Sequence, residues 1–432
     1  MTDGGALRVG VLGCGIVGGA LVHLLVDDAD RIATRTGTRL EVGAVAVRSA
    51  SRERPAPVPP GVLTTDAAAV VVRDDIDLVV EVMGGIEPAR TLILAALKAG
   101  KPVVTANKEL VANCGAELWE AAATAGVDLL FEASVAGAIP LIRPLRESLA
   151  GERVRRVMGI VNGTTNFILT RMSEAGSSYT DALSEAQSLG YAERDPTADV
   201  EGFDAAAKAA ILANVAFGAR VVAGDVYREG ISGITPADIA VAHRLGYVIK
   251  LLAIVDQAEV GGPVGVRVHP AMLPGTHPLA AVRDSFNAVF VEGDAAGQLM
   301  LLGRGAGGMP TASAVLGDLL DAAHNLTVGG AGRSVALQSV PLRPIDHLVS
   351  AYYLDLHVAD RPGVLHAVAG VLGRHSVSIR SMEQEGVHGG GAQLVFVTHP
   401  ALEADVQACL HELRQLDVVG NVGAVIRVIG VD

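Results

Sequence analysis

Two lysines stand where lysine does chemistry rather than solvation. Lys208 lies in FDAAAKAAILANVAFGA and is the only charge between Asp204 and Arg220. A helix apolar nearly all round is buried, and burial lowers a lysine's pKa toward the range useful for proton transfer. Lys108 ends the run Thr105-Ala106-Asn107-Lys108, directly after an apolar stretch that reads as a parallel strand. Ligands of parallel sheets bind beyond the carboxyl ends of such strands, and a second lysine near Lys208 would lower its pKa further. Glu201, Asp204 and Lys208 are spaced three and four apart and are expected to share a helix face. An ordinary helix ion pair has the same spacing. Just upstream, Gly190, Glu193 and Asp199 belong to the turn-rich stretch GYAERDPTAD. Several carboxylates near one lysine could receive an ammonium-bearing substrate.

A second constellation is Gly13-Cys14-Gly15-Ile16-Val17-Gly18, between the apolar run LRVGVL and the helical pattern GALVHLLVDDA. In that context G-x-G-x-x-G is a dinucleotide-binding fingerprint. Gly13 permits the tight turn, Gly15 lets a pyrophosphate approach the backbone, and Gly18 lets helix and strand pack closely. The helix N-terminus, at Gly15, Ile16 and Val17, supplies amides and a positive dipole end to the phosphates. The next strand ends AVAVRSASRER, with Arg48 and Arg52 where NAD enzymes carry an acid for the ribose hydroxyl. A guanidinium pairs bidentately with a 2′-phosphate, so NADP(H) is expected, with NAD(H) tolerated. A solvated basic loop would have the same composition.

Other chemistries are excluded by what is missing. No histidine stands between His23 and His243, and no tyrosine has a lysine four residues on. Cys114 sits in an Ala-rich helical stretch without a nearby histidine and reads as a packing residue.

The elements that must position these groups follow from the apolar runs. Runs at 7–12, 40–47, 76–83 and 101–107, separated by helical patterns such as 90–100, imply an α/β unit with a parallel sheet covered on both faces. This Rossmann-type domain is expected over 1–132, completed by the helix at about 303–340. Residues 133–302 read as an α+β domain with a sheet of its own: a strand at 153–162, helices near 163–175, 180–189 and 201–217, and β-like runs at 263–270 and 286–303. Pro341, Arg343 and Pro344 mark a linker. Residues 350–432 show the order βαββαβ, a ferredoxin-like split unit.

Composition sets the class. The 432 residues predict several domains, half of them are hydrophobic, and the net charge of −13 argues against nucleic acid as the partner. Three cysteines make no disulfide framework and fit a reducing cytoplasm. No apolar run approaches the ~20 residues needed to span a membrane, and the start shows no cleavable signal.

Taken together, GxGxVG, TANK, EASVAGAIP, NGTTNFIL, GYAERDPTADVEGFDAAAKAAIL and GAGGMPTASAV resemble the homoserine dehydrogenase family, in the family's order from residue 8 to about 326. The stretch DRPGVLHAVAGVLGRHSVSI resembles an ACT domain, an amino-acid-sensing module. The resemblance implies NAD(P)H-dependent reduction of L-aspartate 4-semialdehyde to L-homoserine, on the route to threonine and methionine. It implies a catalytic role for Lys208 with Lys108 beside it, and substrate contacts at Gly190, Glu193, Asp199 and Asp204. Cofactor contacts are implied at Thr105, Gly305 and Gly307, besides the glycine loop and Arg48. The resemblance also implies a monovalent cation, sodium or potassium, held mostly by backbone oxygens of Glu132, Val135, Gly137 and Ile139. A homodimer or homotetramer with threonine as effector is expected. Ser378 stands where ACT ligand loops commonly carry asparagine. Two alternatives remain: a non-catalytic NAD(P) and amino-acid sensor, and another NADP oxidoreductase such as aspartate-semialdehyde dehydrogenase. The latter needs a nucleophilic cysteine, and residues 133–302 contain none.

Overall fold

The short apolar runs of the first third become a six-stranded parallel sheet, in a computed structural model that describes residues 5–51, 58–387 and 391–430. Across the sheet the strands are Leu63–Thr64, Leu40–Ala46, Leu7–Leu12, Leu78–Glu81, Val103–Thr105 and Leu129–Leu130. This 3-2-1-4-5-6 order is the Rossmann arrangement, and it opens a crevice where the order reverses, beside the first and fourth strands. Successive strand residues face opposite sides. Val9, Val11, Val80 and Val104 pack under helices Ile16–Asp27 and Gly308–Thr327. Val79 and Val103 pack on the other side with helices Ala89–Lys98 and Lys108–Ala125. Each buried Val or Leu contributes about 1.5–3 kcal/mol. The covering helix from the distant part of the chain is shorter than expected. It ends at Thr327, and Gly329, in the left-handed region, is followed by non-helical chain to 340.

The expectation of separate sheets for the central and C-terminal units is corrected. Nine strands form the main path of one 11-stranded sheet. The order begins Gly297–Arg304, Phe286–Gly293, Val154–Ile160, Tyr247–Gln257 and Val264–Pro274. It continues through Val419–Val428, Val349–Ala359, Gly391–Thr398 and Ile379–Val387. The junction is a short parallel pairing, Ala271 with Arg427 and Met272 with Val428. Two open edges, each a row of unpaired backbone groups, satisfy one another there. The C-terminal unit keeps its βαββαβ order, with helices Val364–Arg374 and Glu403–Leu413. Strand Tyr247–Gln257 has no counterpart among the expected elements. Seven consecutive residues of YVIKLLAIVDQ are buried, and a run apolar on both faces carries no period-2 signal. The run at 286–303 folds as a hairpin turning at 294–296 rather than as one strand.

Helices Gly163–Ala175 and Phe203–Phe217 cover one face of the central strands. At the junction, Arg427 is only 3% exposed. It donates from Nε and Nη2 to the two carboxylate oxygens of Glu403, both at 2.9 Å, and from Nη1 to Glu229 at 2.7 Å. Tyr352 donates to the same Glu403 at 2.6 Å. One guanidinium therefore ties a C-terminal helix to the central unit. Removing one partner of a buried pair leaves a charge without compensation and costs about 3–5 kcal/mol. Arg427→Ala is predicted to destabilise the chain by that amount in urea unfolding followed by circular dichroism. A change below about 1 kcal/mol would show the pair to be energetically idle.

Candidate active site

The glycine loop has the geometry its spacing demands. Gly13 is in the left-handed region at φ 102°, and a Cβ there would meet the Val82 carbonyl oxygen at 2.8 Å. A Cβ on Gly18 would run into the Gly13 carbonyl, whereas Gly15 faces open space. Packing therefore dictates the first and last glycines, and the middle one leaves room for a ligand at the N-terminus of helix Ile16–Asp27. Ile16 is 74% exposed there, beside Gly308. Arg48 is exposed just past strand Leu40–Ala46, and Arg52 lies outside the described residues.

A cavity of about 320 Å³ continues from this loop. Val17, Met83, Gly84, Lys108, Lys208 and Gly305 are on its wall, with Gly137. Gly307, at φ 122°, turns the chain into helix Gly308–Thr327 next to it. Thr105 is absent from that wall. Its hydroxyl is fully buried, donates to Glu81 at 2.7 Å and accepts from the Asn107 amide at 3.0 Å. Thr105 thus braces the strand end, and the expected direct cofactor contact through its side chain is not what the structure displays.

On the far wall the two lysines meet one carboxylate. Helix Phe203–Phe217 is buried continuously from Asp204 to Asn214. Lys208 Nζ donates to Asp204 Oδ2 at 2.7 Å and to the Val161 carbonyl at 2.6 Å. An ammonium has three donors, so one remains for the cavity. Lys108 Nζ lies 2.8 Å from Asp204 Oδ1. Burial pushes the Asp204 carboxyl up, but Lys208 and Lys108 outweigh it and hold the group well below the usual carboxylate range. For Lys108, burial lowers its pKa and the attraction of Asp204 more than offsets this, leaving it above the ordinary lysine value. A carboxylate lies between the two lysines, so Lys108 is not depressed by its neighbour. Lys108 is also the first residue of its helix, where the dipole disfavours a cation. Asp204 compensates.

Asp204 was expected to meet a substrate, but both of its oxygens are engaged by lysines. Asp199 is better placed for that: it is half-buried, and burial raises its pKa against a 2.7 Å hydrogen bond from Asn162. Glu193 is exposed on the turn after Gly190, which takes φ 76°. Glu201 does not share the helix of Asp204 and Lys208. Gly202, at φ 79°, ends the short helix Thr197–Val200 and starts the next one.

Three positioning residues escaped the sequence reading. Asn162 caps helix Gly163–Ala175 through Oδ1 to the Thr165 amide at 2.9 Å, and its Nδ2 donates to both Asp199 and Asp204, the latter at 2.8 Å. An asparagine between a strand and a helix is the available signal, and it signals a cap. Glu81, fully buried, accepts from the Met83 and Gly84 amides at 2.7 and 3.1 Å. An acid inside the apolar run LVVEVM (78–83) could have flagged it. Asn107 caps helix Lys108–Ala125 and donates to the Gly85 carbonyl at 2.6 Å.

The segment 132–139 borders the same cavity through Gly137 and Ala136. Val135, Gly137 and Ile139 are buried, and Ala136 and Gly137 are consecutively left-handed at φ 57° and 58°. Glu132 turns its carboxylate away, accepting from the amides of Leu141, Ile142 and Arg143 at 2.5–2.8 Å. Its own amide donates to Asp318, an acid pushed up to about 7 by burial and by Glu132. Among the described residues no group of three or more His, Cys, Asp or Glu could hold a metal ion. A cation here would depend on carbonyl oxygens.

Comparison with known proteins agrees with this geometry. The chain matches the homoserine dehydrogenase NAD-binding domain over residues 13–132, homoserine dehydrogenase over 140–320, and the ACT domain over 352–417. The homoserine dehydrogenase of Mycobacterium tuberculosis is 52% identical over 431 residues, covering 98% of this chain and 97% of its own. A homoserine dehydrogenase structure from Thiobacillus denitrificans superposes with a TM-score of 0.92 at 42% identity, covering 98% of both chains. A hyperthermophilic archaeal homoserine dehydrogenase in complex with NADPH aligns at 28% identity with a TM-score of 0.59, covering 77% of this chain and 100% of that one. Matches along nearly the whole length, in one order, support the resemblance read from the motifs: the chain belongs to the homoserine dehydrogenase family, oxidoreductases acting on CH–OH groups, and carries a C-terminal ACT domain.

Proposed function

We propose that this chain interconverts L-aspartate 4-semialdehyde and L-homoserine in threonine and methionine biosynthesis, with NADP(H) favoured and NAD(H) tolerated. The observation that carries the reading is the Lys108–Asp204–Lys208 bridge on the wall of a cavity that begins at a dinucleotide-type glycine loop. Residues 1–132, with the helix after 303, hold the cofactor. Residues 133–302 bind substrate and mediate self-association, and 350–432 regulate.

A reduced nicotinamide held by the glycine loop would supply a hydride to the aldehyde carbon. Negative charge then develops on the aldehyde oxygen, where the free donor of Lys208 stabilises it and delivers the proton. Asp204 holds both ammonium groups in place. Asp199 and Glu193, on the Gly190 turn, receive the substrate's ammonium. Glu81, Thr105 and Asn107 brace the loop that faces the nicotinamide. The backbone oxygens of Glu132, Val135, Gly137 and Ile139 suit a sodium or potassium ion, since the left-handed pair at 136–137 curls a buried stretch of backbone. Such an ion would stiffen the cavity edge at Gly137.

The favoured cofactor rests on Arg48, because the strand end offers no acid over residues 47–51. Self-association as a homodimer or homotetramer is supported by the edge strand Gly297–Arg304, which exposes Leu299, Met300 and Leu302. A cytoplasmic location fits Cys114 and Cys409, neither in a disulfide. No helix among the described residues is long and apolar enough to cross a membrane. Threonine is the proposed effector, seated at the turn Asp360–Gly363 before helix Val364–Arg374, whose amides suit a carboxylate.

Lys208→Ala is predicted to lower kcat for semialdehyde reduction by at least ~10²-fold while NADPH binding, read by fluorescence, survives. Near-normal turnover would reject the role. Lys108→Ala should lower turnover and weaken NADPH binding together. Arg48→Ala should raise KM for NADPH about 10- to 150-fold, the worth of a charge-assisted pair, and leave KM for NADH nearly unchanged. Equal effects on both cofactors would refute the 2′-phosphate contact. For the effector, deletion of the tail is a poor test, since strand Val419–Val428 is built into the central sheet. Asp360→Ala should instead abolish threonine inhibition and leave uninhibited turnover intact; unaltered inhibition would place the effector elsewhere.

A further inference from the structure

The cavity beside the glycine loop has one polar side chain that the mechanism above does not use. Thr311 is on its wall, in the first turn of helix Gly308–Thr327. That helix packs on helix Ile16–Asp27, and a Cβ on Gly308 would come within 2.9 Å of the Ile16 side chain. Thr311 therefore belongs to the cofactor-side domain, whereas Lys208 comes from the central unit.

A threonine inside a helix commonly turns its hydroxyl back to the carbonyl one turn earlier. Thr34, Thr36 and Thr170 do so, at 2.7–2.8 Å from the carbonyl oxygens of Asp30, Ile32 and Asn166. The corresponding carbonyl for Thr311 is that of Gly307. It accepts from the Thr311 amide at 3.1 Å but not from the hydroxyl. Among the described residues no protein group meets that hydroxyl. Thr311 is only 9% exposed, yet its oxygen remains accessible. Leaving a nearly buried polar group without a partner is costly, so an unmet hydroxyl on a cavity wall marks where a polar atom of a ligand fits.

The other polar side chains of the wall define what that atom must be. The ammonium groups of Lys108 and Lys208 only donate. Asn107 commits Oδ1 to the Leu110 amide at 3.1 Å and Nδ2 to the Gly85 carbonyl. Ser134 is 2% exposed and donates to the Phe131 carbonyl at 2.6 Å. The free amides that open helix Gly308–Thr327 donate as well. Thr311 Oγ1 is thus the side-chain oxygen left to accept a hydrogen bond from a ligand. A nicotinamide ring has a single polar substituent, its carboxamide, and the amide nitrogen of that group is a donor.

We propose that Thr311 Oγ1 accepts a hydrogen bond from the carboxamide N–H of the nicotinamide and makes the site selective for a carboxamide at that position. The inference rests on the reading of this cavity as the nicotinamide end of the cofactor site. Thr311 touches the cofactor and takes no part in moving the proton.

The test is isothermal titration of the full chain, without substrate, with NADPH and with its reduced 3-acetylpyridine analogue, in which a methyl group replaces the amide nitrogen. Thr311→Val keeps the side-chain shape and removes the hydroxyl. It should weaken NADPH roughly 3- to 10-fold, the range of one neutral hydrogen bond, and change the affinity for the analogue by less than about 2-fold. Thr311→Ser keeps the hydroxyl and should preserve the wild-type preference for NADPH over the analogue. A nicotinamide-free fragment, 2′-phospho-ADP-ribose, should bind the wild type and both variants alike, which separates a lost contact from a damaged glycine loop. If the wild type binds neither NADPH nor NADH, the cavity is no nicotinamide site, and the reading above fails together with the inference. If NADPH binds but Thr311→Val weakens NADPH and the analogue equally, or weakens neither, the inference alone is overturned.

Discussion

The active region depends on one buried carboxylate. Asp204 sits between a lysine of the cofactor-side domain and a lysine of its own helix, and both ammonium groups would be intolerable there without it. The arrangement couples position to charge. Lys108 arrives at the N-terminus of a helix, the wrong end for a cation, and Lys208 arrives on a helix with no other charge nearby. Each is retained because the other's counter-ion serves it as well. Asn162, which donates to Asp204 and to Asp199, extends the same hold to the start of helix Gly163–Ala175. The domain boundary, the two lysines and the half-buried Asp199 thus share one hydrogen-bonded cluster.

The scaffold around this cluster is rigid for steric reasons. A Cβ on Gly18 would strike Gly13, and a Cβ on Gly137 would strike the Gly305 backbone. The glycine loop and the 132–139 segment are therefore each held close to a neighbouring stretch of backbone. Glu81, Asn107 and Thr105 fix the remaining loop through hydrogen bonds to backbone groups.

The C-terminal unit is not an appendage. Its last strand continues the central sheet, and Arg427 holds Glu403 and Glu229 from opposite sides of the junction. A change in the C-terminal unit has a direct mechanical route to the strands beneath helices Gly163–Ala175 and Phe203–Phe217. Allostery nonetheless requires a ligand with different affinity for two states.

Much of this was legible in the residues themselves. The strand and helix pattern of 1–132, the three glycines and the βαββαβ order rest on local periodicity and on glycine stereochemistry, both carried by neighbouring residues. The burial of Lys208 was legible because a single charge in an apolar helix is conspicuous. What local pattern could not supply was partnership. Glu201 looked helical with Asp204 until Gly202 broke the helix. Thr105 looked like a ligand contact until its hydroxyl turned to Glu81. Asp204 looked like a substrate acid until both of its oxygens met lysines, one of them 96 positions away in the chain. Strand Tyr247–Gln257, apolar on both faces, carried no alternation to mark it, and its place in the sheet depended on which edges came together. Spacing along the chain determines which residues share a face; which charge answers which, and which sheet edges meet, is decided only when distant segments compete for the same buried partners.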